Sequence, residues 1–233
     1  VGHSAFAHKG GVHIDAMLKN PKAYEHMDPE VVGNHRRFVT SELAGKMPIV
    51  LKAKKFNVDL DKKSPEAKKL LEELQEKEHN GYQFEAADAS FELFLQRHLK
   101  KYQPFFMLEG FKVTTEKRFD GKIFAEASLR VNVNGKEEFN AAAGDGPVDA
   151  LNKALRNILT KFYPTLGEMH LSDYKVSVLD TKEGTAAKVR VLIESQDKTD
   201  SWTTVGVHSN VIEASWEALI DSVEYKLLKD LKN

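Results

Sequence analysis

The stretch IFAEASLRVNVNGKEEFNAAAGDGPVDALNKALRNIL, residues 123–159, passes from one structural period to another. From Ile123 to Asn134 apolar and polar residues alternate, the two-residue period of a half-buried strand. Asn134-Gly135 tolerates two successive positive φ angles and so favours a tight hairpin, with Glu138 to Ala143 as the returning strand. After Gly144-Asp145-Gly146, Pro147 opens a segment in which Val148, Leu151, Leu155, Ile158 and Leu159 recur at helical spacing. With Phe111 to Thr114 as an earlier strand, the order is βββα.

The same order then returns. Tyr174 to Val178, Ala187 to Ser195 and Trp202 to Val207 read as strands, and Val211 to Leu228 as a helix with Ile212, Leu219, Val223 and Leu227 inward. Tyr174 follows Phe111 by 63 residues, Trp202 follows Phe139 by 63, and Ala214 follows Ala150 by 64. Residues 105–233 therefore read as a tandem βββα domain, with units at about 108–163 and 171–230.

Upstream, residues 58–104 read as helical. Ser64-Pro65-Glu66 is a helix start, and Leu70, Leu71 and Leu74 share one face. The Lys and Glu run from Lys68 to Glu78 fits the solvated face of that helix. Phe84, Ala87, Phe91, Phe94, Leu95 and Leu99 form a second stripe. Residues 1–57 are rich in His, Gly and Pro and read as irregular backbone, with short helices at Ile14–Leu18 and around Ser41–Phe56. The expected fold class is α+β: loop-rich and helical linker subdomains followed by the tandem βββα domain.

Composition narrows the function. The chain has 233 residues, 41% hydrophobic and 30% charged, enough apolar side chain for a core. Its 34 basic residues against 35 acidic ones give no surplus for nucleic acid. No apolar run approaches the roughly 20 residues of a membrane span. The absence of Cys excludes disulfides and thiol chemistry. A soluble, cytoplasmic protein is the expectation. Val1 is not an initiator Met, so the chain is expected to be a piece of something longer.

Two regions could carry chemistry. His3, His8, His13, Asp15, Tyr24, Glu25, His26 and His35 cluster near the start, where His13-x-Asp15 offers acid–base groups; the spacing fits surface or capping roles as well, and metal ligation is not specified by it. Lys9-Gly10-Gly11 lacks the rest of a phosphate-binding loop. Gly144-Asp145-Gly146-Pro147 is sharper: two glycines permit close approach of a ligand, and the helix amides beyond them suit a carboxylate. An ordinary strand-to-helix turn explains the same residues. No nucleophile-and-base arrangement has recognisable spacing.

The segments Phe6-Ala7-His8-Lys9-Gly10-Gly11-Val12-His13-Ile14-Asp15-Ala16-Met17-Leu18 and Tyr24-Glu25-His26-Met27-Asp28-Pro29-Glu30-Val31-Val32-Gly33-Asn34 resemble the post-barrel linker of the 2-isopropylmalate, homocitrate and citramalate synthase superfamily. Gly144-Asp145-Gly146-Pro147-Val148-Asp149-Ala150-Leu151 resembles the start of that superfamily's first regulatory helix. The likeness is strongest to its citramalate branch, since Ile14 stands where isopropylmalate members carry Gln.

The resemblance implies an acyltransferase that condenses acetyl-CoA with a 2-oxo acid, pyruvate in the citramalate branch. It places a divalent metal and the general base in a TIM barrel upstream of Val1, with no cofactor or metal ligand in this chain. Residues 1–57 and 58–104 would then be linker subdomains and 105–233 the regulatory domain, inactive alone. It further implies that His13 and Tyr24 complete a neighbouring subunit's active site, and that the domain forms a homodimer binding a branched-chain amino acid. The effector's neighbours would be Asp145, Gly146 and Val148, with Leu171, Tyr174, Val178, Thr185 and Ala187. Isoleucine is the effector expected in the citramalate branch and leucine in the isopropylmalate branch. A free-standing amino-acid-binding module and a lone acid–base enzyme using the His cluster are the competing readings.

Overall fold

The computed structural model describes residues 6–9, 20, 27–33, 37–39, 65–99, 102–179 and 181–232. The chain divides into two compact units, residues 1–85 and 86–233.

In the first unit, strand β1 (Ala7–Lys9) pairs in parallel with β2 (Arg37–Val39), His8 opposite Phe38. Pro29–Val32 forms a 3₁₀ turn: the Asp28 carboxylate accepts from the Glu30 amide, and Gly33 closes the turn at φ +67°. Helix α1 (Pro65–His79) buries Leu70 and Leu74, while Lys68–Glu72 and Lys69–Glu73 lie exposed one turn apart. The Lys and Glu run is thus the solvated face that its spacing predicted. Phe84 is buried and stacks on Tyr82, which Lys77 covers. The expected helices at 14–18 and 41–56 lie outside the described residues.

The second unit opens with α2 (Asp88–His98), which begins one residue after Ala87 of the predicted stripe. Strands β3 (Met107–Lys117), β4 (Ile123–Val133) and β5 (Lys136–Gly144) form one antiparallel sheet, and α3 (Pro147–Leu159) lies on β4 and β5. Strands β6 (His170–Val178), β7 (Val189–Gln196) and β8 (Ser201–His208) form a second, covered by α4 (Val211–Lys232). The βββα repeat and the α+β class are therefore present as the alternation predicted. The hairpin turn at Asn134-Gly135 has φ +54° and +82°, the two positive angles that pair of residues supplies without strain.

One detail of the repeat is corrected. Both first strands carry a β-bulge, between Leu108 and Gly110 and between Leu171 and Asp173, which fixes an offset of 63 there. Phe111 then faces Leu129, whereas Tyr174 faces Ile193, so one extra residue sits in the second hairpin and the offset becomes 64. Trp202 opposes Ser195 and its counterpart is Glu138, opposite Val131, rather than Phe139. A slip of one residue reverses the face: Trp202 is buried beneath α4, and Phe139 stands on the outer face beside Arg130.

The main core lies between β4 and α3, where Leu129, Val131, Leu151, Leu155 and Ile158 are fully enclosed. Trp216, Val223 and Leu227 of α4 enter the same core. A smaller cluster joins Val191 and Ile193 of β7 to Ala214, Ala218 and Leu219 of α4. Each helix is pressed onto its third strand at a glycine. A methyl group at Gly144 would overlap the Ala150 amide, and one at Gly206 would overlap the Ala214 carbonyl oxygen. Both obstacles are backbone and cannot swing aside. Gly206→Ala is therefore expected to destabilise the chain by about 3 kcal/mol in urea unfolding, the upper end of ordinary overpacking; wild-type stability would contradict the close approach.

Candidate functional site

The start of α3 differs chemically from the start of α4. Asn210 caps α4, its side-chain oxygen accepting from the amides of Ile212 (2.8 Å) and Glu213 (3.4 Å). At α3 the cap residue is Gly146, which has no side chain to satisfy the amides of the first turn. Asp149 reaches back instead and accepts from the Asp145 amide at 3.0 Å while pairing with Lys153 at 2.7 Å. Burial acts to raise its pKa, but the bonds from Lys153 and the Asp145 amide prevail and hold it below the usual carboxylate range. Asp145 itself is exposed.

Around this turn the structure gathers part of the predicted set. Val148 and Leu171 both pack against the cluster of Val191, Ile193, Ala214, Ala218 and Leu219. The Tyr174 hydroxyl lies 2.8 Å from Ser215 Oγ, and because Ser215 already donates to the Val211 carbonyl, Tyr174 is the donor. Val148, Leu171 and Tyr174 thus converge on the first half of α4. Val178 sits four residues further along β6, about 13 Å away at strand rise, and is 56% exposed. Thr185 is exposed on the 3₁₀ turn Thr181–Ala186, and Ala187 is buried just after it. The predicted residues therefore form two groups at either end of one strand.

Sequence reading passed over the residue between them. Val176 opposes Val191 on the helix-facing side of the sheet, and is 45% exposed although Val191 is fully buried. Tyr174, Val176 and Val178 make an apolar strip on an edge strand that α4 does not cover. Their alternation was visible in the sequence. Ser215 was also missed, since nothing in a helical stripe marks one serine as a tyrosine's partner. Elsewhere, an open depression of about 330 Å³ lies on the outer face of the first sheet, lined by Gly110, Lys112, Ser128, Arg130 and Phe139 among others, none of them a predicted site residue.

His13 and Tyr24, with most of the early His cluster, lie outside the described residues. Among the described residues no group of three or more His, Asp or Glu side chains could hold a metal ion. No helix among them is long and apolar enough to cross a membrane.

Residues 85–227 match the family model of the LeuA allosteric (dimerisation) domain. The chain belongs to that family. Residues 1–81 match a second model, the homocitrate synthase post-HMGL domain-like family. Among curated relatives, an (R)-citramalate synthase of Aquifex aeolicus is 52% identical over 99% of this chain and 44% of its own length. One from Geobacter sulfurreducens is 53% identical over 98% of this chain and 44% of its length, and one from Synechocystis 47% over 97% and 42%. The chain thus spans less than half the length of the curated relatives it matches.

In this LeuA-type domain α4 has a second set of polar contacts, which no sequence motif announced. Ser90 of α2 donates to Asp221 at 2.6 Å and accepts from the Val205 amide at 3.0 Å. Arg97 of α2 reaches Asp221 at 2.8 Å and Glu224 at 2.6 Å. Burial pushes both carboxyls above their ordinary range, and Arg97 draws them back down. Burial also disfavours the charged guanidinium, but the two acids outweigh it and Arg97 stays cationic. A carboxyl whose folded pKa lies above its unfolded value of about 4 binds more protons folded than unfolded. Its stabilising contribution therefore grows as pH falls through the raised value. Arg97→Met is expected to cost about 2 kcal/mol near neutrality by leaving both acids without their partly solvent-screened cation. The deficit should shrink as pH falls and the two acids take up protons; urea unfolding across a pH series that shows a constant deficit would contradict the assignment.

Proposed function

We propose that this chain is the linker and regulatory part of an (R)-citramalate synthase, and that it binds isoleucine as a feedback effector between the start of α3 and strand β6. The single observation that carries the reading is the likeness, over nearly the whole chain, to relatives named (R)-citramalate synthase in three organisms. In the complete enzyme acetyl-CoA, pyruvate and water give citramalate and CoA, on the route to isoleucine in the cytoplasm. The barrel holding the divalent metal lies in the part of the relatives' length that this chain does not match.

Physical chemistry supports the effector's position. The α3 amides, left without a side-chain cap at Gly146, suit the effector's carboxylate. Exposed Asp145 suits its ammonium. Val148, Leu171, Tyr174 and Val176, the near part of the uncovered strip, suit a branched apolar side chain. The same strip, on an edge strand, is where a second copy of the chain would complete the pocket as a homodimer. His13 and Tyr24 assist the condensation in a neighbouring subunit, His13 as an acid–base group near the acetyl-CoA carbonyl and Tyr24 as a hydrogen-bond donor.

Calorimetric titration of the chain with isoleucine, leucine and valine tests this. Isoleucine-selective binding is expected. Val148→Asp, which sets a carboxylate against the effector's own, is expected to weaken it at least about tenfold. Selectivity for leucine would move the reading to a 2-isopropylmalate synthase. Absence of heat with all three would remove the effector and leave the family standing.

A further inference from the structure

Helix α4 is 22 residues long, with neither Gly nor Pro to bend it, and spans about 33 Å. Its first half borders the candidate effector site: Ser215 receives the Tyr174 hydroxyl, and Ala214, Ala218 and Leu219 hold Val148 and Leu171. Its second half is gripped by α2. Asp221 binds Ser90 and Arg97, Glu224 binds Arg97, and Lys232 at the end of α4 pairs with the nearly enclosed Glu92. Three side chains of one short helix are thus tied to one face of α4. Ser90 has a second duty: by accepting from Val205 it fastens the same junction to the free edge of β8. Separating the helices would break the Ser90, Arg97 and Glu92 contacts together, so α2 follows α4 or the whole junction breaks.

Resting on the reading that an amino acid binds beside Tyr174, we propose that α4 is a lever. It transmits effector occupancy from the Tyr174–Ser215 contact to α2 through the Ser90–Asp221 and Arg97–Glu224 bonds. A ligand beside Val148 and Tyr174 has different affinity for the two positions of β6 against α4, with the Tyr174–Ser215 bond made or displaced. That difference is all a ligand can use to shift an equilibrium. The output is the placement of α2, the helix that opens the C-terminal unit and follows residues 1–85 in the chain. Arg97 and Ser90 are positioning residues here: neither lies against the effector.

Hydrogen exchange of the whole 233-residue chain, with and without saturating isoleucine, reads the lever directly. Amides of residues 88–98 should change protection at least about fivefold, together with those of 170–178. Ser90→Ala should keep isoleucine affinity and the response at 170–178 while losing that at 88–98. Arg97→Lys, which keeps the charge but not the two-acid fork, should reduce the response at 88–98 in the same way. Isoleucine binding with a response at 170–178 and none at 88–98 in the wild-type chain would overturn the lever alone, as would a full α2 response in Ser90→Ala. If none of isoleucine, leucine and valine binds, the effector reading fails and the lever falls with it.

Discussion

Trp216 is almost fully enclosed on α4, and its ring lies 5.4 Å from Phe111 of the first sheet. That contact makes α4 common property. The helix covers β7 and β8 of its own sheet, touches α3, and sends Trp216, Val223 and Leu227 into the core built by the first repeat. Two βββα units, each with one half-covered sheet, become a single unit because one helix serves both. Gly206 is the condition for it, since any side chain there would lift α4 off β8.

Sheet edges in this unit are treated unequally. Along β8 the outward amides of Val205 and Val207 are satisfied by Ser90 Oγ and Glu217 Oε2, which closes that edge to further pairing. Along β6 the strip of Tyr174, Val176 and Val178 is left 39–56% exposed beside a nearly enclosed core. A protected edge and an open one on the same sheet give the domain a closed side, where α2 docks, and a side where apolar surface remains for a ligand or a second copy.

The architecture was legible because periodicity encodes it. Alternation along Ile123–Asn134, the Asn134-Gly135 turn and the helical spacing after Pro147 each state a local preference that the fold obeys. The registration of the repeat was less legible: one inserted residue in the second hairpin shifts the offset from 63 to 64, and only cross-strand pairing shows that Trp202 corresponds to Glu138. Val148, Leu171 and Tyr174, which the resemblance named as effector neighbours, converge on α4, while Val176, on the same strip, stands in a visible alternation but was not among the residues named. The Ser90, Arg97, Asp221 and Glu224 junction could not have been read at all. Its partners stand 131 and 127 residues apart, and no spacing rule reaches that far.

An effector lodged between the start of α3 and β6 is the claim on which the regulatory account stands. Methyl NMR of the labelled chain titrated with isoleucine addresses it most directly. Saturable shifts of the Val148, Leu171 and Val176 methyls are expected, with those of Val131 and Val133 in the first core unmoved. Saturable binding that leaves Val148, Leu171 and Val176 silent, with shifts elsewhere, would contradict it.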